Sequence, residues 1–314
     1  MQYLSAQAPH APGAAQAAQR RPQRAACSTP AAAEARSRPA ASSRGQWTRP
    51  QAAQQQEAGN GSGAAPANGS GDFFAEGREA TERQRLFNTI APVYDQLNDQ
   101  LSLGLHRVWK RMAVKWSGAR TGGAALDVCC GSGDLAFRLA EAVGPSGSVT
   151  GLDFSANMLE DAARRQEQRR ATLGPAYDMS WVQGDALALP FEDASFDAAT
   201  MGYGLRNVAD IPQAMRELHR VLRPGCSVAI LDFNNASDNA VVDTAQAFFL
   251  KSFVVPTARS MGVAEEYEYL RPSIQRFPTG PQQETLARQA GFSAAVHYPL
   301  AFGLMGCLVC TKAR

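Results

Sequence analysis

Between residues 124 and 233 the apolar positions alternate between two periods. Short continuous apolar runs at 124–129, 148–152, 179–182, 196–201 and 227–233 predict strands, and amphipathic stretches at 134–142, 156–170 and 211–222 predict the helices between them. This strand–helix rhythm predicts an α/β fold with a mostly parallel, doubly wound sheet. Upstream, Leu86, Phe87, Ile90, Val93, Tyr94 and Leu97 stand at helical spacing from Glu82 onward, interrupted by Pro92. After Phe233 the rhythm breaks as far as about Pro281, with an Ala/Phe/Leu helix and then a Tyr-rich stretch that we read as a substrate cover. A last helix over 284–291 is stopped by Gly291, and 297–298 and 306–312 predict closing strands.

Composition divides the chain in two. Residues 1–71 hold 21 Ala and seven Arg against no Lys and two Glu, a net +5, while 72–314 is mildly acidic at −3. The first part cannot pack into a core. An Arg-rich, acid-poor, Ala/Ser-rich leader fits an organelle transit peptide, with 57–71 as a flexible spacer, although a disordered tail with no address has the same composition. Composition alone does not separate chloroplast from mitochondrion. The domain reading is therefore a leader and linker at 1–71 and a catalytic domain at 72–314, with the cover inserted at about 234–281. The acidic balance of the second part disfavours nucleic acid as a partner. No apolar run is long enough for a transmembrane segment, which leaves peripheral membrane contact open. Six Cys in 314 residues is far from a disulfide scaffold.

The candidate chemistry lies in the loops that follow the strands. The segment LDVCCGSGDL at 126–135 ends a strand on Asp127 and passes through Gly131, Ser132 and Gly133 into a helix. Small residues there let backbone amides approach an anionic or carboxylate-bearing cofactor. The dinucleotide pattern G-x-G-x-x-G is absent, because Cys129 takes the first glycine position and Phe137 stands near the third. Asp153 ends the next strand, where a carboxylate can accept both ribose hydroxyls. Asp185 and Ala186 follow the third strand and can read an adenine edge with a side-chain oxygen and a backbone amide. Each acid alone could equally be a helix cap. Together, at these intervals, they point to S-adenosyl-L-methionine.

Over nearly all of 82–314 the chain resembles the ubiquinone/menaquinone biosynthesis C-methyltransferases. The family's entry signature looks like Y-D-x-[ML]-N-x2-[LM]-S-x3-H-x2-W, supplied here by Tyr94, Asp95, Leu97, Asn98, Leu101, Ser102, His106 and Trp109. The second signature, R-V-L-[KR]-P-G-G followed by an apolar strand and E-F-S, appears as Arg220 to Gly225, Cys226, and then Asp232, Phe233 and Asn234. Cys226, Asp232 and Asn234 depart from the bacterial form. With CCGSGD, MGYGLRN, LDFN and EYEYL, they are similar to the plant and algal branch that methylates 2-phytyl-1,4-naphthoquinol in phylloquinone synthesis. The resemblance implies a class I methyltransferase fold with a Rossmann-like, seven-stranded sheet. It also implies a lipophilic quinol substrate, a plastid address for the leader, and Gly202 beside the cofactor. A homodimer is compatible with it. Two rivals stay open: a mitochondrial polyprenyl-benzoquinol methyltransferase, and a non-catalytic cofactor-binding subunit of a quinone-biosynthesis complex.

A sulfonium methyl is an electrophile, so the accepting ring carbon needs the electron density of a reduced quinol that has lost a hydroxyl proton. Such a hydroxyl titrates near the phenol value of about 10. On this reading Arg206 holds the naphtholate oxygen, Asn207 positions a water that takes the proton, and Tyr94 closes the site. The competing reading pairs Arg206 with a surface acid such as Asp210. His106, His219 and His297 have no metal-ligand spacing, and Cys307 and Cys310 point to opposite faces of a strand, so no metal is expected. Cys129 and Cys130 read as small turn residues, with redox control as the alternative. The cluster of Phe248, Phe249, Leu250, Phe253, Val254 and Val255 is either core, a phytyl channel or a membrane-facing mouth.

Overall fold

A computed structural model describes residues 104–173, 177–260 and 270–314. The helix expected from Glu82 and most of the entry signature lie outside the described residues. The chain opens with α1 (Leu105–Trp116), followed by β1 (Ala124–Val128), α2 (Asp134–Val143), β2 (Ser148–Asp153), α3 (Ala156–Leu173), β3 (Asp178–Gln183) and β4 (Phe196–Gly202). A single 3-10 turn (Leu205–Asn207) leads to α4 (Ile211–Val221) and β5 (Leu222–Phe233). Beyond β5 come α5 (Ala240–Phe249), a π-helical turn (Leu250–Val254), α6 (Val255–Ser260), α7 (Leu270–Arg276), α8 (Gly280–Gln289), β6 (Ala294–Leu300) and β7 (Met305–Thr311).

The seven strands form one sheet in the order β3-β2-β1-β4-β5-β7-β6. β1 to β5 are parallel, and β7 runs antiparallel to both β5 and β6. This is the mixed, mostly parallel sheet expected from the alternating pattern. Val128 pairs with both Leu152 and Met201, so the carboxyl ends of β1, β2 and β4 stand level, and the loops that leave them converge. The central strands are buried on both faces, which is why they read as continuous apolar runs. α1 and α2 close one side over Ala125, Val149, Ala198 and Ala229, with Trp109 and Trp116 against this core and Trp116 stacked on Tyr298 at 4.8 Å.

Two features hold the loops at the carboxyl edge. Trp181 of β3 lies where a Cβ on Gly151 or Gly133 would come within 2.5 and 2.7 Å of its ring, and Gly133 also takes φ 86° as it starts α2. Only glycine satisfies both demands at Gly133. Arg220 of the second signature donates to the carbonyls of Leu189 and Phe191 at 2.9 and 2.7 Å and pairs with Glu217 and Asp193, fixing the loop that follows Asp185. Lys312 donates to the carbonyls of His219 and Leu222, and so closes the end of α4. Asp210 caps the start of α4 by accepting from the Gln213 amide at 2.8 Å.

Candidate active site

The converging loops enclose a cavity of about 260 Å³. Asp127, Gly131, Ser132, Asp153, Asp185, Ala186, Gly202 and Asn207 all line it, so the structure gathers most of the residues named from sequence at one place. Gly133 lies behind the wall, against Trp181. Tyr94 lies outside the described residues.

Asp127 ends β1 and is completely buried. One carboxylate oxygen accepts from Thr200 Oγ1 at 2.7 Å, and Oδ2 has no hydrogen-bond partner among the described residues. Burial pushes its pKa from 3.8 up to about 7, against the opposing pull of Thr200, the Ala136 amide and Lys110. A buried carboxylate oxygen left open beside a cavity is a ready acceptor for a cationic ligand group. Asp153 is differently engaged. Its Oδ2 accepts from the Gly131 amide at 2.8 Å and its Oδ1 from the Ser155 amide at 2.9 Å, which joins the glycine loop to the end of β2. Burial raises its pKa, and those amides pull the other way. Asp185 Oδ1 accepts from the Leu187 amide at 2.9 Å and shapes the third loop. Ser132 Oγ takes a 2.6 Å bond from Arg165, which holds the glycine turn to α3.

Among the other residues that line the cavity, Lys110, Asp134 and Tyr203 were not named as site residues from sequence. Lys110 of α1 is buried, with Nζ 2.7 Å from Asp134 Oδ2 and 5.9 Å from the centre of the Tyr203 ring. Burial raises the Asp134 carboxyl, but Lys110, Arg138 and Arg165 outweigh it and hold the pKa at about 2. Tyr203 takes φ 58° and is buried between Lys110 and Phe233, a non-glycine strain of the kind that collects at functional sites. The signal that could have found Lys110 is its place directly after Trp109 of the entry signature. Cys129 and Cys130 also line the cavity, and burial followed by the surrounding carboxylates raises both thiols far above their usual range. They stay protonated and serve as small wall residues.

The guanidinium of Arg206 stands elsewhere than the sequence suggested. Its Nη1 donates to Asp232 Oδ1 at 2.5 Å and to the Tyr203 carbonyl at 2.9 Å, its Cζ lies 5.2 Å from the centre of the Phe233 ring, and it is not among the residues that line the cavity. Its acid is thus the buried Asp232, while Asp210 caps α4. Asn207 does reach the cavity and donates Nδ2 to the same Tyr203 carbonyl at 3.0 Å.

Comparison with known proteins sets this geometry in a family. The model of the ubiE/COQ5 methyltransferase family matches residues 76–312. The chain belongs to that family. Among its relatives, a 2-phytyl-1,4-naphtoquinone methyltransferase of Nostoc punctiforme is 58% identical over 231 residues, covering 74% of this chain and 98% of the relative. The chloroplastic 2-phytyl-1,4-beta-naphthoquinone methyltransferase of Arabidopsis thaliana is 54% identical over 233 residues, covering 74% and 88%. In fold, the chain is similar to a protein named as an S-adenosyl-L-methionine-dependent methyltransferase from Methanococcus maripaludis, with TM-score 0.52, 20% identity, and 73% and 94% of the two chains covered. As a ubiE/COQ5 member the chain is an S-adenosyl-L-methionine-dependent methyltransferase with the class I, Rossmann-like fold.

Proposed function

We propose that this enzyme methylates the ring carbon of a reduced 2-phytyl-1,4-naphthoquinol, in the last methylation step of phylloquinone synthesis, inside the chloroplast. The observation that carries the reading is the identity of 52–58% to proteins named for that substrate, extending over 88–100% of their length. The chloroplastic relative and the Arg-rich leader at 1–71 support the compartment. Residues 72–314 would then be the mature domain, with the cover at about 234–281.

The cofactor supplies an electrophilic methyl on a sulfonium centre. The residues present fit it, since the open oxygen of Asp127 is an acceptor for the amino group of its methionine part. In this reading Gly131, Ser132 and Gly133 admit its carboxylate to the start of α2, Asp153 accepts from the ribose hydroxyls, Asp185 and the Ala186 amide read the adenine edge, and Gly202 leaves room beside them. The chain's task toward the quinol is to hold it, exclude water and help remove one proton. Asn207 holds the water that takes this proton, and Tyr94 closes the site. Arg206 we now read as a positioning residue. Turning it toward substrate would break a buried ion pair, at a cost of about 3–5 kcal/mol, whereas in place it braces the strained Tyr203 from below.

The test is incubation of the protein with methyl-labelled S-adenosyl-L-methionine and the reduced naphthoquinol, followed by mass analysis of the product. Labelled phylloquinol is expected with the reduced substrate, and none with the oxidised quinone, whose ring is electron-poor. Equal labelling of the quinone, or preference for a polyprenyl benzoquinol, would overturn the reading.

A further inference from the structure

Lys110 stands on the face of its helix where a solvated lysine has no place. The buried positions of α1 are His106, Lys110, Ala113 and Val114, a single stripe at i, i+4, i+7 and i+8, and this stripe packs toward α2. Only 4% of Lys110 is exposed. Burying a charge costs free energy unless it is paired, and one partner is present: Nζ lies 2.7 Å from Asp134 Oδ2. That pair does not use up the cation. Asp134, the first residue of α2, is also pulled on by Arg138 and by Arg165, whose Nη2 is 3.9 Å from Oδ1, so three cations surround one carboxylate. An ammonium has three donors, and this one gives a single side-chain hydrogen bond among the described residues. Both members of the pair line the cavity, which an ion pair serving packing alone has no need to do.

The charges on the cavity wall say what the remaining donors are for. Four are acids, Asp127, Asp134, Asp153 and Asp185, and among the described residues Lys110 is the one cation. The cofactor carries the complementary set: a sulfonium and an amino group, both positive, and one carboxylate. Its amino group and carboxylate share a carbon atom, so the site that takes the first fixes the neighbourhood of the second. The open, completely buried Oδ2 of Asp127 is the acceptor for the amino group. Lys110 is near enough to that carboxyl to oppose its protonation. The carboxylate beside it then meets the first turn of α2, where the helix dipole adds partial positive charge and where Lys110 and Asp134 join. On its other side Lys110 is covered by the Tyr203 ring, whose centre is 5.9 Å from Nζ. An anion bound there would meet a cation shielded from water, where charge pairing is strongest.

We propose that Lys110 binds the carboxylate of S-adenosyl-L-methionine at the first turn of α2, and so selects the amino-acid form of the cofactor over a form that lacks this group. The assignment rests on the reading that puts the amino group at Asp127. Asp134 is the partner of Lys110 in the absence of the anion. With Arg138 and Arg165 beside it, Asp134 stays compensated when the ammonium gives a further donor to the ligand.

The test is calorimetry on the full chain with S-adenosyl-L-methionine and with its decarboxylated form, which keeps the sulfonium and the amino group. Wild type should bind the decarboxylated form at least about tenfold more weakly. Lys110→Met, which preserves the length of the stem, should weaken S-adenosyl-L-methionine by roughly 10- to 150-fold and the decarboxylated form not at all, so the preference disappears. Asp134→Asn breaks the same ion pair but keeps the cation, and should retain the preference; a pair that serves packing alone would make the two variants behave alike. The double variant Lys110→Met, Asp134→Asn removes both buried charges and should lose the preference too, which carries the test if the single variant does not fold. Equal affinity of wild type for the two forms, an equal loss of both in Lys110→Met, or an undiminished preference in the double variant overturns the assignment. Asp127→Asn examines the underlying reading separately, because both forms carry the amino group and both should weaken. If neither does, the amino-group site falls, while a lost carboxylate preference in Lys110→Met still assigns Lys110.

Discussion

Asp127→Asn separates what the buried carboxyl does for the fold from what it does for the ligand. The folded-state pKa of about 7 stands well above the 3.8 of an ordinary aspartate, and a tenfold change in proton affinity corresponds to about 1.4 kcal/mol. Since the folded pKa is raised, the neutral carboxyl contributes stability that is fully present below pH 3.8 and is lost as pH rises through about 7. Above that, the wild-type protein without cofactor carries a buried charge that costs it on the order of 4 kcal/mol. Asparagine keeps an acceptor for Thr200 Oγ1 and has nothing to ionise. The variant should therefore match wild type near pH 4 and melt on the order of ten degrees higher at about pH 8. Cofactor affinity should move the opposite way. Loss of a charge-assisted bond to the amino group costs about 1.5–3 kcal/mol, or roughly 10- to 150-fold in Kd. In wild type, affinity should also weaken about tenfold for each pH unit below 7, because binding must displace the Asp127 proton; in the variant this slope should vanish. Melting curves without cofactor and calorimetry with S-adenosyl-L-methionine between about pH 6 and 8 read both effects. Parallel melting profiles for the two proteins would refute the buried-charge argument, and equal affinities would refute the assignment of the amino-group site.

Two further changes probe neighbouring roles. Asp153→Asn sets an amide NH2 against one of the amides of Gly131 and Ser155, so it should loosen the glycine loop by about 1–3 kcal/mol and cut cofactor affinity at least tenfold; unchanged exchange protection at Gly131 together with unchanged Kd would sink that role. Arg206→Met leaves Asp232 buried without its guanidinium, so it should lower stability by about 3–5 kcal/mol and reduce kcat with little change in cofactor Kd, and the additional change Asp232→Asn should restore much of the stability. A single variant that keeps its melting point while losing turnover would return Arg206 to direct contact with substrate.

That the acids at the strand ends would meet at one cavity was legible in the sequence, and the reason is geometric. In a parallel sheet every strand that ends in an acid or a glycine delivers it to the same edge, so Asp127, Asp153 and Asp185 could be placed together without knowing any side-chain contact. Lys110 was passed over despite its place after Trp109, because a lysine on an amphipathic helix reads as solvent-facing and only the packing of α1 on α2 makes it a buried partner of Asp134. The partner of Arg206 was missed for a similar reason. Asp232 is 26 residues away, and the β4–β5 register, with Gly202 opposite Leu231, is what brings the two together. For the aromatics of 240–260 the sequence left core, a phytyl channel and a membrane-facing mouth open, since a stripe at helical spacing does not say which side is already covered; Phe248 and Phe253 are exposed. Cys307 and Cys310 illustrate a subtler limit. Alternation puts them on opposite faces, and both are buried, so burial alone does not tell the two faces apart.

The place of β7 has a consequence for how the chain is made. It follows β6 in the chain but lies between β6 and β5, so β6 has no partner until β7 has emerged, and until then β5 shows the unpaired edge of Val228, Ala229 and Ile230. During synthesis the loops that line the cavity, all built before β5 ends, can form early, while the half of the sheet made by β6 and β7 waits for the strand that joins it. An apolar edge left open for that interval is an invitation to pair with another chain. The nascent protein thus needs to be shielded longest at the strand that will later hold the ion pair beneath Tyr203.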